Sequence, residues 1–128
     1  MNKFSEGLLR LCLKPTVECN LPGRLRLSFG KYHLLPKEAA PYLHYTQEVL
    51  RLLPGVSAAE INPRIGTLLI RYDAQTTDAR AILRWLDIVV DEGIQIFKED
   101  LWQDVSEATL AQIVRQRLIL RLPQQKEG

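Results

Sequence analysis

The sequence predicts a small α+β domain in which two helices cover one face of a four-stranded antiparallel sheet. Residues 24–29 and 67–72 alternate apolar and polar side chains, which is typical of half-buried strands. Residues 38–53 and 78–91 instead carry apolar side chains at helical spacing. With two further short strands the predicted order is strand, helix, strand, strand, helix, strand. Right-handed crossovers then place both helices on the same side of the sheet, which gives a βαββαβ open-faced sandwich.

Length and composition favour one globular domain. The chain has 128 residues, of which 46% are hydrophobic and 25% are charged. The net charge of +2, from 17 basic and 15 acidic residues, is too small to indicate a nucleic-acid-binding protein. No apolar run is long enough to cross a membrane, and the first 14 residues do not resemble a signal peptide. We therefore expect a cytoplasmic protein.

The first strand of the domain follows a turn at Pro22-Gly23. Its alternation assigns each side chain to one of the two faces of the sheet. The residues expected to face the helices are Leu25, Leu27 and Phe29. Those expected on the opposite, open face are Arg24, Arg26 and Ser28.

A helix over residues 38–53, ended by Pro54-Gly55, leads into a second strand over residues 56–62. A short turn-forming stretch joins it to the third strand, so the two strands form an antiparallel hairpin. In the third strand Leu68, Ile70 and Tyr72 are expected to face the core. Leu69 and Arg71 are expected on the open face.

After the helix over residues 78–91, Gly93 is expected to end the helix, and Ile94 and Ile96 to form a short fourth strand. The predicted organisation has three parts. These are an N-terminal segment with a short amphipathic helix (1–21), the βαββαβ domain (22–98), and a C-terminal helical extension with a polar tail (99–128).

Three stretches within residues 22–98 resemble the heavy-metal-associated domain family. They are PGRLRL at 22–27, LPGV at 53–56 and NPRIGTLLIRYD at 62–73. The resemblance is to the cysteine-free branch of that family, and it implies the ferredoxin-like form of the βαββαβ fold. The family's metal site is a CxxC after the first strand, where this chain has no cysteine in residues 30–35. The resemblance thus implies bacterial metal handling, near a metal-transporting P-type ATPase or a metal-storage system, without a metal ligand or other cofactor.

Arginines supply the most suggestive surface. Arg24, Arg26 and Arg71 are expected together on the open face beside Leu69, where guanidinium groups can bind a carboxylate or a phosphate. The alternative is ordinary solvated charge. The last helix carries apolar residues that either cover this face or bind a partner. Its contact residues are expected to be Leu110, Val114 and Leu118.

Direct metal binding is an alternative that draws on four scattered residues: Cys12, Cys19, His33 and His44. The two cysteines are separated by six residues, which is not a metal-clip spacing. Two histidines without a third ligand rarely hold a metal ion.

No catalytic signature is present: the sequence has no Ser-His-Asp set, no phosphate-binding glycine loop and no paired carboxylates. RNA binding would need aromatic side chains on the open face, which the predicted strands do not supply. We therefore expect a non-enzymatic accessory module that binds a protein partner. The alternatives are the Cys/His metal site and a homo-oligomer built through sheet edges and the last helix. A membrane-surface role for the first helix is weaker, since its polar face is poor in basic residues.

Overall fold

The computed structural model describes residues 6–31, 33, 40–99 and 106–123. Four helices and four strands lie within them, and the protein has the α+β class and the four-stranded antiparallel sheet that the sequence predicts. The helices are α1 (Glu6–Cys12), α2 (Ala40–Leu50), α3 (Ala79–Lys98) and α4 (Glu107–Arg121). The strands are β1 (Thr16–Leu21), β2 (Arg24–Ser28), β3 (Val56–Asn62) and β4 (Thr67–Tyr72).

The centre of the sheet is the pairing of β2 with β4, in the order β1-β2-β4-β3. Leu25 lies opposite Ile70 and Leu27 lies opposite Leu68, and all four side chains are buried. Tyr72 is buried on the same side, so the predicted core face of β2 and β4 is confirmed.

Helices α2 and α3 cover this core face. The apolar stripe of α3 buries Ile82, Trp85, Leu86 and Val89 against the strands and α2. The indole of Trp85 is fully buried, and its Nε1 group donates a hydrogen bond of 3.0 Å to the backbone oxygen of Val49 in α2. A buried indole N–H requires such an acceptor, and here it joins the two helices.

The predicted fourth strand at Ile94 and Ile96 is wrong. Both residues belong to α3, which continues through Gly93 to Lys98 without interruption. Ile94 and Ile96 are nonetheless buried, and α1 and α4 both pack against α3. Ile96 lies seven residues after Val89 and fourteen after Ile82, so the apolar stripe of α3 continues past Gly93, and packing outweighs the modest helix penalty of one glycine.

The edge position beside β2 is occupied by β1 instead. This strand was not predicted; it pairs antiparallel with β2 through the two-residue turn Pro22-Gly23. Gly23 has φ +83°, and a Cβ there would lie 3.1 Å from the backbone oxygen of Tyr72. Glycine therefore suits both the turn and its close approach to β4. The sheet crosses the predicted boundary at residue 21.

Helix α4 packs against α2 and α3, so it lies on the helix-covered side of the sheet and not on the open face. Val114 and Leu118 are fully buried in the same core as the strands. The hydroxyl of Tyr45 donates a hydrogen bond of 2.8 Å to the backbone oxygen of Ala111, which attaches α4 to α2. Helix α4 is thus part of the domain core and does not cover the open face.

Candidate interaction surface

The sheet face opposite α2 and α3, here called the outer face, presents three rows of side chains that run across the four strands. Residues directly opposite each other in an antiparallel ladder share a face, so the pairing register defines the rows. The basic row is Leu21, Arg24, Arg71 and Ala58. The middle row is Cys19, Arg26, Leu69 and Glu60. The polar row is Thr16, Ser28, Thr67 and Asn62.

Arg24 and Arg71 lie directly opposite each other in the basic row, and both are exposed. Among the described residues no carboxylate forms an ion pair with either of them. Like charges directly opposite in a sheet destabilise it, because their Cβ atoms are only about 5 Å apart. The prediction that these two arginines share the open face is confirmed, and they form a concentrated, uncompensated positive charge.

Arg26 differs from these two arginines because it has an internal partner. Its Nε lies 3.3 Å from a carboxylate oxygen of Glu18, and both side chains are 44% exposed. The register shifts between Val17 and Cys19, which leaves Glu18 in a bulge of β1. An exposed pair of this kind adds little stability, but it reduces the positive charge of the middle row. Glu18 was missed from the sequence because β1 itself was missed.

A shallow depression of about 380 Å³ lies beside the middle row, toward the β3–β4 turn. Its apolar lining residues include Leu69 and Ile65, which is 60% exposed. Its other lining residues are Arg26, Glu60, Ile61, Asn62, Pro63 and Thr67. Leu69 was predicted on this face, whereas Glu60 and Ile65 were not identified as surface residues; the outward position of Glu60 in the alternation of β3 could have indicated it.

The predicted partner contacts in the last helix are not available. Val114 and Leu118 are fully buried, and Leu110 is half-buried against the core. The apolar residues that α4 does expose are Ile119 and Leu120, which lie on its outward side. The three contacts predicted on the last helix are therefore not offered to a partner, and the predicted residues that remain exposed or half-exposed lie on the outer face of the sheet.

The residues proposed as metal ligands do not form a described site. Cys12 is fully buried on α1, which packs on α3, whereas Cys19 lies in the middle row on the other side of the sheet. Burial raises the pKa of the Cys12 thiol, although Lys31 partly opposes this, and a neutral thiol is a poor metal ligand. His33 is exposed, and the side chain of His44 lies outside the described part of the chain. Within the described residues, no three His, Cys, Asp or Glu side chains are grouped so as to hold a metal ion.

An ionic cluster on the helix side was not anticipated from the sequence. Asp91 of α3 accepts hydrogen bonds from Arg10 of α1 at 2.7 Å and from Arg121 of α4 at 2.9 Å. These two bonds lower the pKa of the Asp91 carboxyl. Arg117 also binds Glu99 at 2.8 Å. The cluster attaches α1 and α4 to α3, which is a structural role.

No helix in the described part of the chain combines the length and the apolar character needed to cross a membrane.

A search of protein-family models, of curated proteins and of solved structures finds no match to this chain.

Proposed function

We propose that this protein is a non-enzymatic interaction module whose outer sheet face binds a protein partner. The observation that carries the proposal is the direct opposition of Arg24 and Arg71, both exposed and without a described acidic partner. Such an arrangement costs stability in the free protein, and a negatively charged group on a partner would offset that cost.

The distribution of charge among the described residues supports the outer face as the binding surface. On the helix side, Arg10, Arg117 and Arg121 each bind a carboxylate of α3 or the residue that follows it. Uncompensated opposing arginines occur instead on the sheet face that no described helix covers. Exposed arginines without a described ion pair also occur on α3, at Arg80 and Arg84; the outer face differs in placing its two arginines directly opposite each other, beside the exposed Leu21.

The resemblance of residues 22–98 to the cysteine-free heavy-metal-associated domains supports a place in bacterial metal handling. The partner would be a metal transporter, such as a P-type ATPase, or a metal-storage system, reached from the cytoplasm. The described cysteines and His33 favour a role in contact with such a system over one in carrying the metal.

The same resemblance supports a variant of the ferredoxin-like arrangement. The segment β2-α2-β3-β4-α3 follows the order of the first five elements of that arrangement. Its strands also pair as that arrangement requires, β2 with β4 and β4 with β3. We propose that β1 takes the edge position that the last strand of a βαββαβ domain would occupy.

The proposal is tested by replacing both basic-row arginines in the organism that carries the gene. The double variant R24E/R71E should reproduce the effect of deleting the gene on metal tolerance and on cell metal content, measured by elemental analysis. The matched control is R80E/R84E, which reverses two exposed charges on α3 and should behave as the wild type. A gene deletion without effect on either readout would contradict the proposed role.

A metal-loading experiment separates this role from direct metal binding. The purified protein, incubated with Cu(I) or Zn²⁺ and desalted, should retain well under one equivalent of metal. Retention of one equivalent that is lost on replacing Cys12 and Cys19 by serine would establish the metal-binding alternative instead.

Self-assembly is a second candidate, favoured by the edge strand β1. Val17 and Leu21 are about half exposed on this strand, and an uncovered edge can pair with another copy. Light scattering on the purified protein would detect this as a mass of twice or more that of the 14.7 kDa chain. A monomer over the accessible concentration range would remove this candidate.

A further inference from the structure

The two arginines of the basic row are positioned to bind a single oxyanion. They occupy facing positions on neighbouring strands, so their guanidinium groups can approach one carboxylate or phosphate from both sides. Each guanidinium presents several N–H donors in a planar fork that matches the two oxygens of a carboxylate. Because both side chains are exposed, an incoming group reaches them without displacing any described element.

The neighbours of this arginine pair favour a polypeptide over a free anion. Leu21, which is 53% exposed, lies beside Arg24 in the same row. The depression with Leu69 and Ile65 begins at the next row. An inorganic anion would leave this apolar surface in contact with water, whereas a peptide can cover it with its own side chains.

The carboxylates in and beside the middle row disfavour the binding of an extended polyanion. Glu60 lines the depression, and Glu18 compensates Arg26, so positive charge does not continue along the face. A nucleic acid strand or an anionic membrane surface presents negative charge repeatedly and would meet these carboxylates. A ligand with one or two acidic groups followed by apolar groups matches the outer face better.

The spacing of the rows defines the ligand further. Successive rows are two residues apart along β2, β3 and β4, so on these strands the basic row lies roughly 7 Å from the middle row and 13 Å from the polar row. An extended peptide has the same rise per residue and presents every second side chain to the face. We infer that the partner contributes an extended segment with an acidic residue at Arg24 and Arg71, and an apolar residue two or four positions away in the depression beside Leu69. This inference rests on the proposed function and specifies the chemistry of the partner.

The test uses a synthetic eight-residue peptide of serine, with one glutamate and with leucine two and four residues after it. Titrated into the isotope-labelled full chain, it should shift the backbone amide resonances of β2 and β4 on the NMR spectrum and leave those of α4 unchanged. Two matched peptides, with glutamine for glutamate or with serine for both leucines, should each bind at least tenfold more weakly.

The variant R24Q/R71Q should lose at least tenfold in affinity for the acidic peptide, while R80Q/R84Q should bind as the wild type does. Both replaced side chains of the first variant are exposed, so its amide spectrum should remain that of a folded protein. Equal binding of the glutamine peptide, or no shift with any peptide at millimolar concentration, would overturn the inference.

Two further ligands test whether the anionic group that binds the arginines belongs to a peptide, to free phosphate or to a lipid. Inorganic phosphate at tenfold excess should not displace the peptide, and vesicles containing phosphatidylglycerol should not shift the β2 and β4 resonances. Displacement by phosphate, or binding to the vesicles alone, would overturn the peptide as ligand. The R24E/R71E cell phenotype could persist in either case, so failure of this inference is distinguishable from failure of the proposed function.

Discussion

The Nε1 group of Trp85 donates a hydrogen bond to the backbone oxygen of Val49, at 3.0 Å across the core. Val49 lies in the last turn of α2, where backbone oxygens lack partners within the helix. The same oxygen accepts the backbone N–H of Leu52 at 3.1 Å. The Val49 oxygen thus accepts two hydrogen bonds, one from the backbone at the end of α2 and one from the buried indole.

Replacing Trp85 by phenylalanine should lower the free energy of unfolding by about 1–3 kcal/mol. The change removes the donor and leaves a small cavity, while Arg84→Gln on the exposed side of α3 should have almost no effect. Urea unfolding followed by circular dichroism measures both. Equal stability of the two variants would show that the contact does not hold α2 to α3.

Leu118 and Leu120 provide a matched pair on α4, since Leu118 is fully buried and Leu120 is 86% exposed. Leu118→Ala should destabilise the protein by about 2–5 kcal/mol, and Leu120→Ala by less than about 0.5 kcal/mol. Thermal and urea unfolding test this difference. Similar small effects of both substitutions would contradict the placement of α4 in the core.

Gly55 has φ +97°, and a Cβ at this position would lie 2.9 Å from the side chain of Thr77. Gly55→Ala should therefore cost at least about 1 kcal/mol through backbone strain and crowding. Gly30 is the control, because its φ lies outside the left-handed region and a Cβ there meets no atom within 4 Å. If Gly30→Ala proved the more damaging of the two in urea unfolding, this geometry would be incorrect.

Asp91→Asn should weaken the attachment of α1 and α4 to α3. The pKa of the Asp91 carboxyl is lowered in the folded protein, so its stabilising effect is complete above the unfolded pKa of about 4. That effect is lost as the pH falls through the lower folded value. We expect the variant to be less stable by about 1 kcal/mol at pH 7, because the pairs are partly exposed and screened by solvent.

Unfolding measured from pH 7 down to pH 2 tests the sign of this effect. The stabilities of Asp91→Asn and the wild type should converge below about pH 4. Asp87→Asn, at an exposed position on the same helix with no described ion pair, is the control and should leave the stability at pH 7 almost unchanged. A constant difference at every pH would assign the effect to something other than the Asp91 charge.

Alternation of apolar and polar residues was sufficient to predict the strands that bury one face. In β2 and β4, Leu25, Leu27, Leu68 and Ile70 pack beneath the helices, so each of these strands shows the two-residue period. The prediction of Arg24 and Arg71 on one face follows from that period together with the expected pairing of their two strands. The structure adds the register, which places the two arginines directly opposite each other.

Alternation did not reveal β1 in the sequence, because no side chain of this strand is buried. From Thr16 to Leu21 every residue except the half-exposed Cys19 is exposed, so the strand has no apolar face for a sequence pattern to reveal. The ion pair of Glu18 with Arg26 depends on β1 and could not be foreseen without it. The prediction for Ile94 and Ile96 was wrong because it ended the helix at Gly93, although Ile96 continues the helical spacing of Val89 and lies in the same core.

The source of the edge strand has a consequence for how quickly the sheet can form. A strand at residues 94–96 would have paired with β2 only after closing a loop of about 70 residues, which carries a substantial entropy cost. Strand β1 reaches the same neighbour through the Pro22-Gly23 turn, and a hairpin of this kind forms within about 1–10 μs. The β1–β2 hairpin at this edge of the sheet can therefore form before α2 and α3 pack together and complete the core.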